Sequence, residues 1–128
     1  MATHYVQTSG VLQTNSGSYV PIPGLALTLP EGAGVEAIII LNLPNPYAAG
    51  NDYPGANLGI SVDGTVQTNY ASFTYGDPKP AVPNRMPTTL VVGVPLGPKP
   101  QQIEAVWAGV RGATVISDSP ASLTAFLD

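Results

Sequence analysis

Arg85 and Arg111 are two of only four cations in the chain, and neither has a carboxylate close to it in sequence; Asp77 stands eight residues before Arg85. A guanidinium offers five donors in one plane and no acceptor. That suits carboxylates, phosphates, or the vicinal hydroxyls and ring oxygen of a sugar. Arg85 lies in the stretch from Phe73 to Pro87, which adds the hydroxyl of Thr74 and the phenol of Tyr75 and is stiffened by four prolines. Two further loop stretches, Pro44–Gly55 and Gly109–Pro120, carry Tyr47, Tyr53, Arg111, Asp118 and Ser119. A tyrosine can lay its ring on the C–H face of a sugar while its phenol stays in water. The plainer alternative is that each arginine only solvates a loop or ties down backbone carbonyls.

Catalytic chemistry is poorly served. The one histidine, His4, falls in a segment expected to fray, so no base is well placed beside a serine nucleophile. No Gly-X-Ser-X-Gly elbow, phosphate-binding glycine loop or His-Glu-X-X-His pattern occurs. A glycosidase needs two carboxylates at a fixed separation. Asp63 is in a turn, Asp128 is terminal, and Glu31 and Glu36 flank a strand, which leaves Asp52, Asp77 and Asp118 in loops near aromatics. A calcium loop would need spaced Asp and Asn ending in Glu, and none is present.

The elements that must position these loops read as strands. Leu25, Leu27 and Leu29 alternate with Ala26 and Thr28, the period of a strand with one buried face. Pro21, Pro23 and Gly24 ahead of them suggest an edge or a bulge. Val35–Leu43 is apolar at most positions, and three consecutive isoleucines favour a strand with both faces covered, by a second sheet and by a neighbouring subunit. Around Asp63-Gly64, a three-residue loop pairs Ile60 with Val66 and Leu58 with Thr68, whereas a two-residue loop would set apolar residues opposite Gln67 and Asn69; the first register is expected. Tyr70, in phase with Val66 and Thr68, reads as core. Leu90, Val92 and Val94, then Ile103, Ala105 and Trp107, then Leu123, Ala125 and Leu127 continue the alternation. About eight to ten short strands at even spacing make one all-β domain over residues 1–128, a sandwich or jelly roll.

Composition agrees and excludes several functions. Hydrophobic residues make up 44% of the 128 positions and charged ones 9%, which rules out disorder driven by charge. Fourteen glycines and fourteen prolines argue against long helices. A net charge of −4 leaves nothing to neutralise nucleic acid or dock on an anionic membrane. No apolar run approaches the ~20 residues of a spanning helix, and the first residues do not read as a secretory signal. So little charge also suggests that part of the surface is covered by other subunits.

Several motifs carry a resemblance. Asn42-Leu-Pro-Asn-Pro-Tyr-Ala-Ala-Gly-Asn51, Tyr53-Pro-Gly55, Phe73-Thr-Tyr75, Arg85-Met-Pro87, Trp107, Val110-Arg-Gly112 and Asp118-Ser119 with Ala121-Ser-Leu123 occur in order, after Tyr19-Val20 and Ile22-Pro-Gly24. From about Tyr19 to Leu127 the chain resembles the tumour-necrosis-factor-like fucose-binding lectin domain at the N-terminus of certain bacterial superlectins. That resemblance implies a jelly roll assembled as a homotrimer. It implies three sites for fucosylated cell-surface glycans at subunit boundaries, needing neither calcium nor another cofactor. Carried onto this sequence, one subunit would supply Tyr47, Arg111 and Ser119 with Asp118 nearby, and its neighbour Thr74, Tyr75 and Arg85. Asn57 stands where the family carries a tyrosine, and Ile116 where it carries a histidine; both departures bear on the second sugar and on the preferred monosaccharide. Two readings stay open beside the lectin: a trimeric protein-interaction module without sugar binding, and a glycosidase.

Overall fold

In the computed structural model, which describes residues 2–128, the chain forms eleven strands and, among the described residues, no helix. They are β1 (Ala2–Gln7), β2 (Leu12–Thr14), β3 (Val20–Leu29), β4 (Glu36–Leu43), β5 (Tyr47–Ala49), β6 (Gly55–Val62), β7 (Thr65–Thr74), β8 (Thr88–Pro95), β9 (Gln101–Val110), β10 (Thr114–Ser117) and β11 (Ser122–Leu127). Two four-stranded sheets, ordered β1–β11–β4–β8 and β3–β9–β6–β7, share one core, and every pairing within them is antiparallel. The chain passes back and forth between the two sheets, which gives the strand order of a jelly roll. A third, smaller sheet, β2–β10–β5, carries Tyr47.

Alternation explains which residues meet. Leu25, Leu27 and Leu29 of β3, Leu58 and Ile60 of β6 and Trp107 of β9 line the inner face of one sheet, Ala37, Ile39, Leu41 and Leu43 of β4 that of the other, and all belong to one core. Each such aliphatic side chain, once fully buried, contributes about 1.5–3 kcal/mol. The prolines of β3 are accommodated at a sheet edge, and its pairing with β9 shifts between Pro21 and Ala26, with Gly24 in the left-handed region.

β4 buries Ala37, Ile39, Leu41 and Leu43 against the second sheet, as expected, and leaves Ile38 on its opposite face 41% exposed within the single chain. Three expectations are corrected. β1 is not a loose end: it pairs along its length with β11 and sets His4 opposite Ala125. The β6–β7 hairpin closes on two residues, Asp63 and Gly64, both at positive φ, with Val62 opposite Thr65. The mismatch that argued against this short loop is removed by an irregularity between Gly59 and Ser61, which carries Leu58 to Ala71. Tyr70 consequently pairs with Gly59 on the outer face and is 58% exposed.

Candidate functional site

Two arginine-centred clusters form at one end of the sandwich. The first is built on β5 and the loop before β8. The amide of Met86 donates to the carbonyl of Pro46 (2.8 Å), which fixes Arg85 beside Tyr47. The Tyr75 phenol donates to the carbonyl of Asn84 (2.6 Å) and accepts from the amide of Ala48 (3.2 Å), so the backbone is held on both sides of Arg85. Burial, foremost, raises the Tyr75 pKa; the bond from Ala48 and the charge of Arg85 oppose that shift.

Within this frame the Arg85 guanidinium lies 4.4 Å from the centre of the Tyr47 ring. Its Nη1 donates to Oδ1 of Asp118 at 2.6 Å and to the carbonyl of Asn45 at 3.2 Å. Asn45 in turn donates through Nδ2 to Oγ of Ser119 at 3.2 Å. Tyr47 is brought to Asp118 and Ser119 because it pairs with Ile116, the last but one residue of β10. The carboxylate that Arg85 lacks nearby in sequence is brought by the fold from 33 residues further along the chain.

The second cluster surrounds Arg111. Arg111 and Gly112 occupy the β9–β10 turn, both at positive φ, and the turn closes with Ala113 donating to Val110 (3.1 Å). A non-glycine residue in that region costs of order 1–3 kcal/mol unless its surroundings hold it. Here the hold is visible. Nε of Arg111 donates to the carbonyl of Asp52 at 2.8 Å, and Nη2 donates to that of Tyr53. Gly109, just before the turn, is required because a Cβ there would collide with the carbonyl of Ala113. Thr74 lies two strands away from Val110, across Gly55, on the outer face of the β3–β9–β6–β7 sheet. Asn57, half-buried, is two residues further along β6 on that same face.

The eight residues singled out in the sequence therefore divide in two. Tyr47, Tyr75, Arg85, Asp118 and Ser119 share one cluster, and Thr74, Asn57 and Arg111 flank the other. The partition drawn from the resemblance, with Arg85 set against another subunit's Tyr47 and Ser119, is not the grouping inside a single chain. The strip Asp52-Tyr53-Pro54 links the clusters, since Pro54 also accepts from the amide of Tyr75 (3.0 Å) and Tyr53 donates to Pro78 (3.1 Å). Sequence reasoning missed Asn45, although it stands inside the motif that ends at Tyr47; its position two residues ahead of an aromatic was the available signal. A cavity of about 280 Å³ opens beside Tyr75, lined by Gly76, Asp77, Pro80, Ala81, Val82 and Asn84.

Both arginines keep nitrogens free of these contacts. The recorded bonds of Arg85 leave from Nη1, and those of Arg111 from Nε and Nη2. The arrangement holds two planar donors still, Arg111 on backbone carbonyls and Arg85 over an aromatic ring with a carboxylate already bound.

Among solved structures, the chain is similar to the insecticidal delta-endotoxin Cry8Ea1 of Bacillus thuringiensis, at 12% identity and a TM-score of 0.49 over 92% of this chain. It spans only 19% of that toxin's length. It is also similar to the C-terminal domain of EclA, a sugar-binding protein (14% identity, TM-score 0.48, covering 100% of this chain and 79% of that one). The Eiger TNF of S. frugiperda is a third (8% identity, TM-score 0.47, covering 96% and 90%). No curated protein matches in sequence. The model of the family "Bc2l-C, N-terminal domain" matches residues 3–126, nearly the whole chain, and the protein belongs to that family.

Proposed function

We propose that this chain is a non-catalytic lectin domain that binds fucosylated glycans without calcium, as a homotrimer with its sites at subunit boundaries. The observation that carries the reading is Arg85, held over the Tyr47 ring and paired with Asp118. Its charge is compensated on the spot, so the ligand it suits is a neutral polyol rather than a phosphate or a carboxylate. Free donors of Arg85 and Arg111 would take sugar hydroxyls and the ring oxygen, with Ser119 and Thr74 as hydroxyl partners. Tyr47 and Tyr75 would supply apolar wall. Asn57 would meet a second sugar. Family membership supports the same class of ligand.

The trimer is supported by the outer face of β1–β11–β4–β8. Tyr5 (56% exposed), Ile38 (41%) and Val91 (54%) lie on it, joined through the cross-strand neighbours Thr124, Ile40 and Phe126. A second copy covering this face would account for a chain so poor in charge. Weak monosaccharide sites would then gain ~10²–10⁴-fold in avidity on a dense glycan surface.

A glycan array probed with and without a chelator tests the proposal. Binding of fucosylated glycans in both conditions, lost on Arg111→Ala, is the expected result. An intact trimer that binds nothing on a broad array would overturn it and favour the protein-interaction reading, which the same exposed apolar face would serve.

A further inference from the structure

Neither arginine lines the cavity beside Tyr75. Its wall is one loop, from Gly76 to Asn84, which holds Pro78, Pro80 and Pro83. Each proline fixes its own φ near about −65°, and hydrogen bonds fix much of the rest. The carbonyl of Pro78 accepts the amide of Tyr53 (3.1 Å), and Oδ1 of Asp77 accepts the amide of Lys79 (2.9 Å). At the far end the carbonyl of Asn84 accepts the Tyr75 phenol (2.6 Å). The chain's own bonds therefore shape the cavity before any ligand arrives, which reduces the ordering cost of binding.

Three kinds of group line it. Asp77 brings a carboxylate whose recorded bond uses Oδ1 and leaves Oδ2 over. Asn84 brings a side-chain amide, because its bond to Tyr75 runs through the backbone. Ala81 and Val82 bring apolar surface, and Val82, 82% exposed, is the most exposed large apolar side chain among the described residues. An acceptor, a donor and an apolar lip are together the complement of an acetamido group: its N–H would donate to Asp77, its carbonyl would accept from Asn84, and its methyl would rest on Ala81 and Val82. The charge of Asp77 opposes a phosphate or a carboxylate. A lone carboxylate also makes a poor cation site, and no group of three metal-ligating side chains gathers among the described residues. At about 280 Å³ the cavity is just under the ~300 Å³ at which pockets for drug-sized ligands begin. It has room for one ring or substituent and not for a peptide segment.

We propose that this cavity takes the acetamido group of an N-acetylhexosamine, as a subsite separate from both arginine clusters. That the ligand is a sugar rests on the lectin reading above; the selectivity for the acetamido group rests on Asp77, Asn84 and Val82. The subsite borders the first cluster, since Asn84 precedes Arg85 and the Tyr75 phenol also accepts the amide of Ala48, next to Tyr47.

The test is an amide NMR titration of the wild type and of Asp77→Asn with three ligands: the methyl β-glycosides of N-acetylglucosamine and of glucose, and methyl α-fucoside. The two glucose-type ligands differ only at the acetamido group. The N-acetylated one should shift Gly76, Asp77, Ala81 and Val82 and bind about tenfold or more tightly than its partner, the effect of one charge-assisted hydrogen bond. Asp77→Asn keeps an oxygen for the amide of Lys79 and turns the free acceptor into a donor, so the protein should melt as the wild type does and lose only the N-acetylated ligand. Equal shifts from both glucosides, or N-acetylglucosaminide binding that survives Asp77→Asn, would overturn the subsite. So would N-acetyl-lysine amide binding as tightly as the N-acetylated sugar. Methyl fucoside binding without N-acetylglucosaminide binding would overturn the subsite and leave the lectin reading standing. The reverse pattern would support the subsite and overturn the fucose assignment, and a protein that binds none of the three would overturn both.

Discussion

Arg85→Ala separates the two roles of this side chain, in folding and in binding. Its ion pair with Asp118 joins side chains that are 47% and 30% exposed, so solvent screening holds it to about 0–1 kcal/mol of stability. The stacking on Tyr47 adds about 0.5–1 kcal/mol at such a site. The total, about 0.5–2 kcal/mol, lowers Tm by about 2–10 °C in a domain of this size and leaves the protein folded at room temperature. Binding has no such reserve. A charge-assisted hydrogen bond contributes about 1.5–3 kcal/mol, whereas a ~1 mM monosaccharide affinity is worth only about −4 kcal/mol in all. Removing Arg85 should push Kd for methyl α-fucoside up by at least ~10-fold, beyond calorimetric detection. Arg85→Lys should fare little better, because an ammonium cannot lie flat on Tyr47 while reaching Asp118 and the carbonyl of Asn45 together. Thermal melts paired with calorimetry read both effects. A folded Arg85→Ala protein with unchanged sugar affinity would refute the assignment.

Three further outcomes are expected. Replacing Ile38 or Val91 by Glu should dissociate an assembly held by that face, read by light scattering as a fall from three times 13.1 kDa toward one. Asp63→Ala should cost about 1–2 kcal/mol in denaturant unfolding, because Asp63 is at positive φ and accepts the amide of Gln102 at 2.8 Å through its carboxylate. The Tyr19 and Tyr75 phenols have pKa values raised above 10.0. The unfolded chain therefore loses those protons first, and stability should hold through neutral pH and fall as pH climbs past about 10. Tyr75→Phe should shallow that fall in melts followed by circular dichroism.

The sequence made the buried faces legible and the exposed ones misleading. Alternation in β3, β8, β9 and β11 could be read directly, since one face is uniformly apolar and the other is not. In β4 the outward Ile38 and Ile40 hid the same alternation, because the exposed face there is as apolar as the buried one. The hairpin register failed for a different reason. Pattern matching assumes continuous pairing, and an irregularity at Gly59–Ser61 satisfies the pattern with the loop length that had been disfavoured. Tyr70 followed the same error, assigned inward on phase alone. At the site, residue types pointed to both arginines, but the pairing of Arg85 with Asp118 depends on β10 ending beside β5, a contact of high sequence separation that no local signal reveals.

The clamps around the loop from Gly76 to Pro83 have a consequence for engineering. Tyr75 is fastened through its amide to Pro54 and through its phenol to Asn84, while Met86 is fastened to Pro46. The loop's ends are thus fixed, and its interior is tied to the site at Pro78, which accepts the amide of Tyr53; past that point, doubling the loop's length would cost only about 0.6 kcal/mol in closure entropy. New sequence could be grafted between Lys79 and Pro83 while Arg85 and Tyr53 stay where they are, so this part of the loop is the place to append a recognition element next to the arginine site without rebuilding it.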